Sequence, residues 1–190
     1  MHAVSRSAPS DPISGVDYYS ADLGDEAAVR KMFASIATTP WAVINTVGGF
    51  APHRPIIEFD TAEFQTQYQL NLLTAAVLTK HAVQAMRKRG SGRIIHTASR
   101  SATHTQGAGF AYSVSKAGVL HLVKMAAAEC ADSDIRVHAV SPGIIDTATN
   151  RAAMPNADHG GWAKPADISR AYLFLAAPKS PAKSGTTITV

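Results

Sequence analysis

The stretch WAVINTVGG, residues 41–49, is a continuous apolar run that ends in two glycines. A strand covered on both faces is apolar throughout, whereas a strand with one solvated face alternates apolar and polar residues. The run from Trp41 to Val47 therefore predicts a strand in the middle layer of a sheet. Gly48 and Gly49 have no side chain, so they allow another group to approach the backbone closely, although an ordinary tight turn explains them equally well.

Outward from this run, short β-prone segments alternate with helical patterns. The predicted strands are VDYYSA (16–21), WAVINTV (41–47), GRIIHTA (92–98), DIRVHAVS (134–141) and GTTITV (185–190). The predicted helices are 25–36, 61–88 with a break, 109–129 and 164–177. Asp60 and Glu63 have the spacing of a capping box, and Pro165 suits the first turn of the last helix. This alternation predicts an α/β fold with a parallel sheet.

Composition and charge limit the classes of function. The chain has 190 residues, of which 46% are hydrophobic and 17% charged, as in an ordinary globular domain. Its net charge of +4 is spread without a long basic run, so no nucleic-acid binding is predicted. The single cysteine, Cys130, fits a reducing cytosol, and the absence of a long apolar run argues against a membrane span. Residues 1–15 are polar and predict a loose leader, followed by a single domain over 16–190.

Polar or glycine residues follow four of the predicted strands. These segments are Asp22-Leu23, Asn45 to Gly49, Ser99, and Pro142 to Thr147. Ligands of parallel α/β sheets bind outside the carboxyl ends of the strands, so we expect the four segments to open onto one crevice. Each segment alone has a plainer explanation as a turn or a helix cap.

Tyr112 and Lys116 lie four residues apart in the helical stretch GFAYSVSKAGVLHLVKMAAAE, residues 109–129. This spacing places both side chains on one face of the helix. A phenol has a pKa of about 10, and a nearby ammonium favours the phenolate, so we expect Lys116 to lower the pKa of Tyr112. Tyr112 could then exchange protons with a ligand. For an isolated pair, a surface lysine beside a half-buried tyrosine is the simpler interpretation.

The combination of these motifs is more specific than its parts. Ser99, the sequence YSVSK thirteen residues later, Asn71 within a long helix and Pro142-Gly143 after the next strand occur in the order of the short-chain dehydrogenase/reductase family. The chain resembles that family from residue 16 to residue 190. The resemblance implies a Rossmann-like, doubly wound parallel sheet. It also implies hydride transfer between NAD or NADP and a carbonyl or secondary alcohol.

The resemblance implies a role for each catalytic residue. Tyr112 would be the acid and base, and Ser99 would hydrogen-bond the substrate oxygen where negative charge develops. Lys116 would hold the nicotinamide ribose, and Asn71 would hold a water that relays protons to Lys116. A plainer explanation of Asn71 is an amide that caps or joins helices.

Cofactor and substrate residues carry over from the family in the same way. The residues implied to bind the cofactor are Asp22, Leu23, Asn45, Val47, Gly48, Tyr112, Lys116, Pro142, Gly143, Ile145 and Thr147. Thr46 departs from the family, which has a second asparagine there. From loop placement alone, we expect the substrate to be lined by Phe50, Arg100, His104, Gln106, Met154 and Trp162. No metal is expected, because His53, His104 and His159 lack the spacing of metal ligands.

The family begins with a strand, a glycine-rich TGxxxGxG turn, a helix and a second strand, and the turn grips the cofactor pyrophosphate. The sequence starts at what matches the third strand, so the expected fold lacks the first β-α-β unit. The strand at 16–21 would then have no native neighbour, and WAVINTV would become a bare sheet edge. The expected explanations are direct pairing of these two strands, an edge supplied by another chain, or a start that lies upstream. Without the turn, cofactor binding is weakened or lost, and NAD cannot be distinguished from NADP.

Two alternatives to a general carbonyl or alcohol oxidoreductase remain open. One is an inactive remnant that acts through oligomer or partner contacts. The other is a dihydropteridine reductase-like enzyme, because DTATNRAAMPNAD (146–158) with Trp162 resembles the tail of those relatives, although Ser99 argues against it. The family also implies a homodimer or homotetramer formed through the helices at 61–88 and 111–131. A cytoplasmic enzyme with a small-molecule substrate is the resulting expectation.

Overall fold

A computed structural model describes residues 1–50, 55–104 and 109–190. The strands are β1 (His2–Ser5), β2 (Asp17–Ser20), β3 (Ala42–Asn45), β4 (Ser91–Thr97), β5 (Asp134–Ser141) and β6 (Thr187–Thr189). The α-helices are α1 (Glu26–Ser35), α2 (Thr61–Gln67), α3 (Thr74–Arg89), α4 (Phe110–Glu129), α5 (Ala148–Ala153) and α6 (Pro165–Ala176). A π-helical turn (Tyr68–Leu73) joins α2 to α3, and short 3-10 turns occupy Ile56–Glu58 and Arg100–Ala102.

The main sheet has four parallel strands in the order β3-β4-β5-β6. On β4, Ile94 is buried in the core cluster formed with α3 and α4, whereas Ile95 is buried in the cluster formed with α6. Successive residues of a strand point to opposite faces, so helices cover both sides of this sheet. The predicted α/β fold with a parallel sheet is confirmed.

The first residues of the chain form a strand rather than a loose leader. His2–Ser5 pairs in parallel with β2, and the two make a separate two-stranded sheet. The expected loose leader is therefore wrong for residues 2–5, and β2 pairs with a strand that the sequence does not predict. Only Ala3 and Val4 in β1 are apolar, and two residues are too few to show the alternation that identifies a strand. The strand becomes recognisable only through its pairing with β2.

The strand β3 lies at the edge of the main sheet, as predicted. It pairs with β4 on one side, while β2 pairs with β1 and not with β3. Direct pairing of the two strands is therefore not what the structure shows. Proteins usually cover or shorten an apolar strand with an unpaired edge, because its free backbone groups can pair with another chain.

The helices begin and end close to where the sequence places them. The break predicted within 61–88 is the π-helical turn, and Asp60 caps α2 by accepting a hydrogen bond from the Ala62 N–H at 2.9 Å. Pro165 occupies the first turn of α6. One helix is missed, because α5 lies within the segment that the sequence predicts as loop. Among the described residues, no helix combines the length and apolar character that crossing a membrane requires.

Candidate active site

The carboxyl ends of β3, β4 and β5 lie side by side, and short hydrogen bonds join the segments that follow them. The Arg100 N–H donates to the Pro142 carbonyl at 2.9 Å, and the Ser141 hydroxyl donates to the Ser99 carbonyl at 3.4 Å. Thr97 Oγ1 donates to the Asn45 carbonyl at 2.6 Å. These contacts bring three of the four predicted strand-end segments to one edge of the main sheet.

Tyr112 and Ser99 meet at this edge. Tyr112 lies in the first turn of α4 and is half-buried, and the Ser99 side chain lies near enough to its phenol to lower the phenol's pKa. Ser99 follows β4 and caps the 3-10 turn, where its Oγ accepts from the Ser101 N–H at 3.2 Å. The phenol and the serine hydroxyl are therefore close enough to contact the same substrate oxygen.

Lys116 lies one turn after Tyr112 on the same side of α4 and is buried. Its Nζ donates to the Thr97 carbonyl at 2.9 Å and stands 5.9 Å from the centre of the Tyr112 ring. Burial lowers the pKa of Lys116 to about 8. Burial raises the pKa of Tyr112, and the hydrogen bond to Ser99 opposes that rise. The expected lowering by Lys116 is therefore wrong for this arrangement, because desolvation of the phenol dominates.

Asn71 sits in the π-helical turn and is 1% exposed. Its amide accepts from the Gly49 N–H at 3.0 Å and donates to the Gly49 carbonyl at 3.1 Å. It also donates to Gln67 Oε1 at 3.0 Å and to Ser115 Oγ at 3.1 Å. Since the Ser115 hydroxyl in turn donates to the Tyr112 carbonyl at 2.7 Å, Asn71 joins the glycine turn after β3 to the helix that carries Tyr112.

Gly48 leaves a space between these groups that only a glycine permits. A Cβ there would lie 2.7 Å from Asn71 Oδ1 and 2.8 Å from Lys116 Nζ, both well inside van der Waals contact. Because Gly48 has no side chain, the backbone of the turn packs directly beside the Asn71 amide and the Lys116 ammonium. This cradle fits the nicotinamide-ribose end of a dinucleotide, which needs close backbone approach and hydrogen-bond donors for its hydroxyls.

The other residues implied to bind the cofactor near β2 and β3 have mixed surroundings. Asp22 is exposed, and its Oδ1 accepts from the Gly24 N–H at 2.8 Å. Leu23 is buried in the core with α1, so only its backbone faces outward. Asn45 is also buried, with Oδ1 accepting from the Val47 N–H at 3.1 Å. Asn45 therefore shapes the turn rather than presenting its amide to a ligand.

The segment after β5 is held against the C-terminus and α6. The Gly143 N–H donates to the Val190 carbonyl at 2.9 Å, and Ile145 forms a parallel bridge with Ala163. Thr147 caps α5, where its Oγ1 accepts from the Asn150 N–H at 3.2 Å. The backbone from 142 to 147 is consequently fixed beside Ser99.

The residues expected to line the substrate fall into two groups. Phe50 packs edge-on against Tyr112 with ring centres 5.2 Å apart, and Arg100 packs beside Gly143. Trp162 instead contacts His159 at a centre-to-centre distance of 4.3 Å, and His159 Nε2 lies 3.0 Å from the Met154 carbonyl. The structure thus places Phe50 against the Tyr112 ring. Met154 and Trp162 instead lie in a separate cluster with His159.

Three further expectations concern exposed or undescribed residues. His104 is exposed, and its Nδ1 lies 3.0 Å from Thr103 Oγ1. Gln106 and His53 lie outside the described residues. Within 1–50, 55–104 and 109–190, no three His, Cys, Asp or Glu side chains are grouped so as to hold a metal ion.

The sequence does not identify two residues that hold the site residues in place. They are Thr97, which bonds Lys116 through its carbonyl, and His96, which bonds Asn45. Thr97 contributes a carbonyl, which every residue has, so no sequence signal identifies it. His96 is fully buried on β4 with Nδ1 3.2 Å from Asn45 Nδ2 and Nε2 2.8 Å from Thr79 Oγ1. A histidine next to Ile94 and Ile95 in a predicted buried strand is a signal that points to His96, because a buried polar group needs a hydrogen-bond partner.

Comparison with known families and proteins gives a consistent result. A family model described as enoyl-(acyl carrier protein) reductase matches residues 3–190. The cis-4-hydroxycyclohexanecarboxylate dehydrogenase of Sinomonas cyclohexanicum is 33% identical over 183 residues, which cover 89% of this chain and 72% of that protein. The 7alpha-hydroxysteroid dehydrogenase of Bacteroides fragilis is 32% identical over 78% of this chain and 61% of its own length.

Solved structures give the same architecture. A short chain dehydrogenase/reductase family protein superposes with a TM-score of 0.83 at 30% identity, covering 93% of this chain and 75% of that one. The protein ElxO with NADP bound superposes with a TM-score of 0.84 at 23% identity, covering 92% and 76%, which shows a shared fold. The matches therefore span 61% to 76% of the length of these proteins.

Proposed function

This chain belongs to the short-chain dehydrogenase/reductase family of NAD(P)-dependent oxidoreductases, and on that premise we propose that it interconverts a carbonyl and a secondary alcohol with Tyr112 as acid and base. The observation that carries the proposal is that the Ser99 hydroxyl lies near enough to the Tyr112 phenol to affect its pKa, while Lys116 Nζ stands 5.9 Å from the centre of the same ring. Of these three groups, Lys116 also reaches the turn after β3, where its Nζ would lie 2.8 Å from a Cβ at Gly48. The relatives are named as dehydrogenases, which supports the same reaction class.

The residues of this chain handle the proton. The nicotinamide, when bound, supplies the hydride to the carbonyl carbon or accepts it from the alcohol carbon. Ser99 orients the substrate oxygen by a hydrogen bond, and Tyr112 donates its phenolic proton to that oxygen in reduction or accepts it in oxidation. A phenol with a raised pKa is fully protonated at neutral pH, which suits proton donation to the oxygen of a carbonyl as it is reduced.

Lys116 stabilises the phenolate that remains after this transfer. Its ammonium stands 5.9 Å from the Tyr112 ring in a buried site, where opposite charges attract more strongly than in water. Its hydrogen bond to the Thr97 carbonyl fixes the direction of the side chain. We assign Asn71 to positioning the glycine turn, because its amide bonds both backbone groups of Gly49.

The proposed cofactor contacts follow the edge of the sheet. The nicotinamide-ribose end would lie against Lys116 and the Gly48 backbone, and the amide would contact the segment after β5. The adenine end would lie near Asp22. The residues that we propose to bind NAD or NADP are Asp22, Leu23, Val47, Gly48, Tyr112, Lys116, Pro142, Gly143, Ile145 and Thr147, while Asn45 shapes the turn that carries Val47 and Gly48.

We propose that the substrate is a secondary alcohol, or the matching ketone, on a ring. The relatives named above act on a hydroxylated cyclohexane and on a steroid, according to their names. Phe50 offers an exposed aromatic face next to Tyr112, which suits an alicyclic surface. Arg100 lies at the same end and could pair with a carboxylate substituent. His104, Met154 and Trp162 would form the outer walls.

An assembly of two or four copies in the cytosol completes the proposal. Val114 and Met125 on α4 are 43% and 49% exposed, which leaves apolar surface on the helix that relatives are expected to pair through. Such pairing would cover these side chains. Sedimentation of the purified chain measures the number of copies directly.

The test is Tyr112→Phe, which removes one oxygen and preserves the ring. We expect turnover of a cyclic secondary alcohol with NAD or NADP to fall by about 10²- to 10⁴-fold, because the proton carrier is lost. Tyr172→Phe is the matched control, since the Tyr172 hydroxyl also makes a hydrogen bond, to Thr97 Oγ1 at 2.7 Å, away from the proposed reaction. Equal turnover by the wild type and Tyr112→Phe would refute the role of Tyr112.

Calorimetric titration with NADH and NADPH separates the enzyme from a non-catalytic remnant. A functional cofactor site should bind at least one of them, and a remnant that acts through partner contacts should bind neither. The pterin reductase alternative is checked by assay with a quinonoid dihydropterin beside the cyclic ketone. Because Ser99 lies beside Tyr112 and its presence argues against a pterin reductase, we expect the cyclic ketone to be the better substrate.

A further inference from the structure

Ser101 is a half-buried serine that has no part in the proposed reaction so far. It lies in the 3-10 turn Arg100–Ala102, which begins directly after Ser99. Its hydroxyl donates a hydrogen bond to Ser99 Oγ, with an oxygen–oxygen distance of 3.0 Å. The Ser101 backbone N–H donates to the same oxygen at 3.2 Å. One residue therefore supplies two hydrogen bonds to the hydroxyl that lies beside Tyr112.

These two bonds occupy the acceptor sites of Ser99 Oγ. A serine hydroxyl has two lone pairs that accept hydrogen bonds and one hydrogen that donates. The N–H and the O–H of Ser101 take the two lone pairs. The group that remains on the Ser99 side chain is its own hydrogen. Ser99 can therefore act toward a further oxygen only as a donor.

The backbone at Ser99 is fixed by other contacts, so Ser101 is not needed to hold it in place. The Ser99 carbonyl accepts from the Ser141 hydroxyl at 3.4 Å. The next backbone N–H, that of Arg100, donates to the Pro142 carbonyl at 2.9 Å. What these contacts leave variable is the direction of the Ser99 hydroxyl. Ser101 is the residue that sets this direction.

The direction of the Ser99 O–H decides whether it favours or opposes the proposed reaction. Negative charge develops on the substrate oxygen in reduction, and the Tyr112 phenolate carries it in oxidation. A donated hydrogen bond stabilises an oxygen with negative charge, whereas a lone pair directed at that oxygen repels it. Ser99 lowers the pKa of Tyr112, as expected of a group that donates toward the phenolate.

Ser101 also strengthens the donation by Ser99. Hydrogen bonds in a chain polarise one another, so a hydroxyl whose oxygen accepts becomes a better donor through its hydrogen. The chain here runs from the Ser101 hydroxyl through the Ser99 hydroxyl to the oxygen beside it. This polarisation is larger where water is excluded, and the hydrogen bond between the two serines is partly buried.

We propose that Ser101 is a positioning residue, which holds the Ser99 hydroxyl as a donor toward Tyr112 and the reacting oxygen. Ser101 acts through Ser99 and needs no contact with the substrate or the cofactor. For the identity of the reacting oxygen, this assignment rests on the proposed function. The direction of the Ser99 hydroxyl toward Tyr112 is a property of the free protein, so it can be tested without turnover.

The first readout is the titration of Tyr112 in the protein without cofactor or substrate. Tyrosine labelled with ¹³C at Cζ gives a separate NMR signal for each tyrosine, and the signal that Tyr112→Phe removes belongs to Tyr112. We expect a higher pKa of Tyr112 in Ser101→Ala than in the wild type, because the Ser99 hydroxyl then has a free lone pair and donates less to the phenolate. Ser101→Thr keeps the hydroxyl and should titrate like the wild type.

A double-mutant cycle tests whether Ser101 acts through Ser99. Ser99→Ala should also raise the pKa of Tyr112, and adding Ser101→Ala to it should produce no further change. If Ser101→Ala does not fold, Ser101→Cys preserves the shape of the side chain, and its thiol is a weak donor that should shift the titration in the same direction.

Ser133→Ala is the matched control for the loss of a serine hydroxyl. Ser133 is also half-buried, and its hydroxyl donates to the Cys130 carbonyl at 2.9 Å, beyond the C-terminal end of α4. Tyr112 lies in the first turn of the same helix. Ser133→Ala should therefore keep the wild-type titration of Tyr112 and the wild-type turnover.

Steady-state kinetics give the second readout. We expect Ser101→Ala to lower kcat for a cyclic secondary alcohol about tenfold, the effect of one lost hydrogen bond among the reacting groups. The dissociation constants of NADH and NADPH should stay unchanged, because Ser101 acts on the Ser99 hydroxyl alone. Ser101→Thr should restore turnover. A purely structural role of Ser101 would change cofactor binding together with kcat.

Four results would overturn the proposal. They are equal titration of Tyr112 in the wild type and Ser101→Ala, failure of Ser101→Thr to restore it, an equal shift by Ser101→Ala with and without Ser99, and wild-type kcat in Ser101→Ala. Failure of the proposed function gives a different result. A wild type that turns over no cyclic alcohol or ketone would refute that function, whereas a shifted titration of Tyr112 in Ser101→Ala would still support the action of Ser101 on Ser99.

Discussion

At the scale of single residues, the site depends on close contacts that a small change disturbs. Gly48 lies between Asn71 Oδ1 and Lys116 Nζ, and neither neighbour is free to move, because Asn71 bonds both backbone groups of Gly49 and Lys116 bonds the Thr97 carbonyl. The glycine is required by space rather than by its backbone angles.

Gly48→Ala should therefore weaken the site. We expect a loss of about 1–3 kcal/mol in the free energy of unfolding and a larger proportional loss of turnover, since the new methyl group displaces Lys116 or Asn71. Chemical denaturation and steady-state kinetics measure the two effects. Gly161→Ala is the control, because nothing lies within 4 Å of a Cβ at that position. Equal stability and turnover in both variants would contradict the crowding argument.

His96 supports the glycine turn from beneath as a neutral imidazole. The Thr79 hydroxyl donates to the Ala75 carbonyl at 2.7 Å, so it accepts from His96 Nε2–H. His96 Nδ1 is then left to accept from Asn45 Nδ2, which turns Asn45 Oδ1 toward the Val47 N–H. One proton on the histidine thus sets the orientation of the Asn45 amide.

The buried histidines predict a loss of stability in acid. Burial and the nearby Lys116 charge lower the pKa of His96 to about 4, and burial with the guanidinium groups of Arg93 and Arg136 lowers that of His138 to about 4. The unfolded chain binds these protons near pH 6.5. Stability is therefore full above pH 6.5 and falls as the pH approaches 4, by up to about 3 kcal/mol for each group.

Unfolding free energies measured at several pH values check this prediction. His96→Gln removes one titrating group and should reduce the slope between pH 6.5 and 4. The double variant His96→Gln/His138→Leu should reduce it further. If both variants retain the slope of the wild type, other groups govern the acid sensitivity.

At the scale of elements, the π-helical turn between α2 and α3 is the feature that shapes the site. The turn places Asn71 where its amide reaches Gly49 on one side and Ser115 of α4 on the other. A π turn adds a residue to the helical turn and often marks a functional position. Here its effect is to tie the end of β3 to the helix that carries Tyr112.

Asn71→Ala should loosen that connection. The backbone groups of Gly49 and the side chain of Gln67 lose their partner in a buried site, so we expect the free energy of unfolding to fall by about 2–3 kcal/mol. Denaturant titration measures the change. Gln69→Ala is the control, because Gln69 is exposed on the same turn and should cost little. A loss of equal size in both variants would mean that the turn, and not the Asn71 amide, determines stability.

At the scale of the whole molecule, the two sheets differ in how well they are covered. Every residue of β4 from Gly92 to His96 is buried, as is β5 from Val137 to Ser141. Every residue of β1 and β2 is half-buried or exposed. A region with more buried apolar surface needs more free energy to open locally. We therefore expect the sheet of β1 and β2 to open without the main sheet.

Amide hydrogen exchange tests this difference. We expect the amides of β4 and β5 to exchange only with global unfolding, and those of β1 and β2 to exchange much faster through local opening. Equal protection of both sheets in the free protein would show that they already unfold as one unit.

The sequence by itself determined the elements of the main sheet and pointed to the groups that we propose to react. Period and composition identify β3 to β6 and their helices, because a strand covered on both faces must be apolar throughout. The four-residue spacing of Tyr112 and Lys116 places them on one helix face in any α-helix. The order of Ser99, Tyr112 and Lys116 along the chain identifies the family.

Only the tertiary structure decided the features that depend on groups distant in sequence. The strand β1 exists because β2 pairs with it, and its two apolar residues are too few to predict it. The pKa of Tyr112 rises rather than falls because burial, which depends on packing, outweighs the lowering effect of Ser99. Local sequence determines secondary structure, whereas desolvation and strand pairing arise only when separate segments meet.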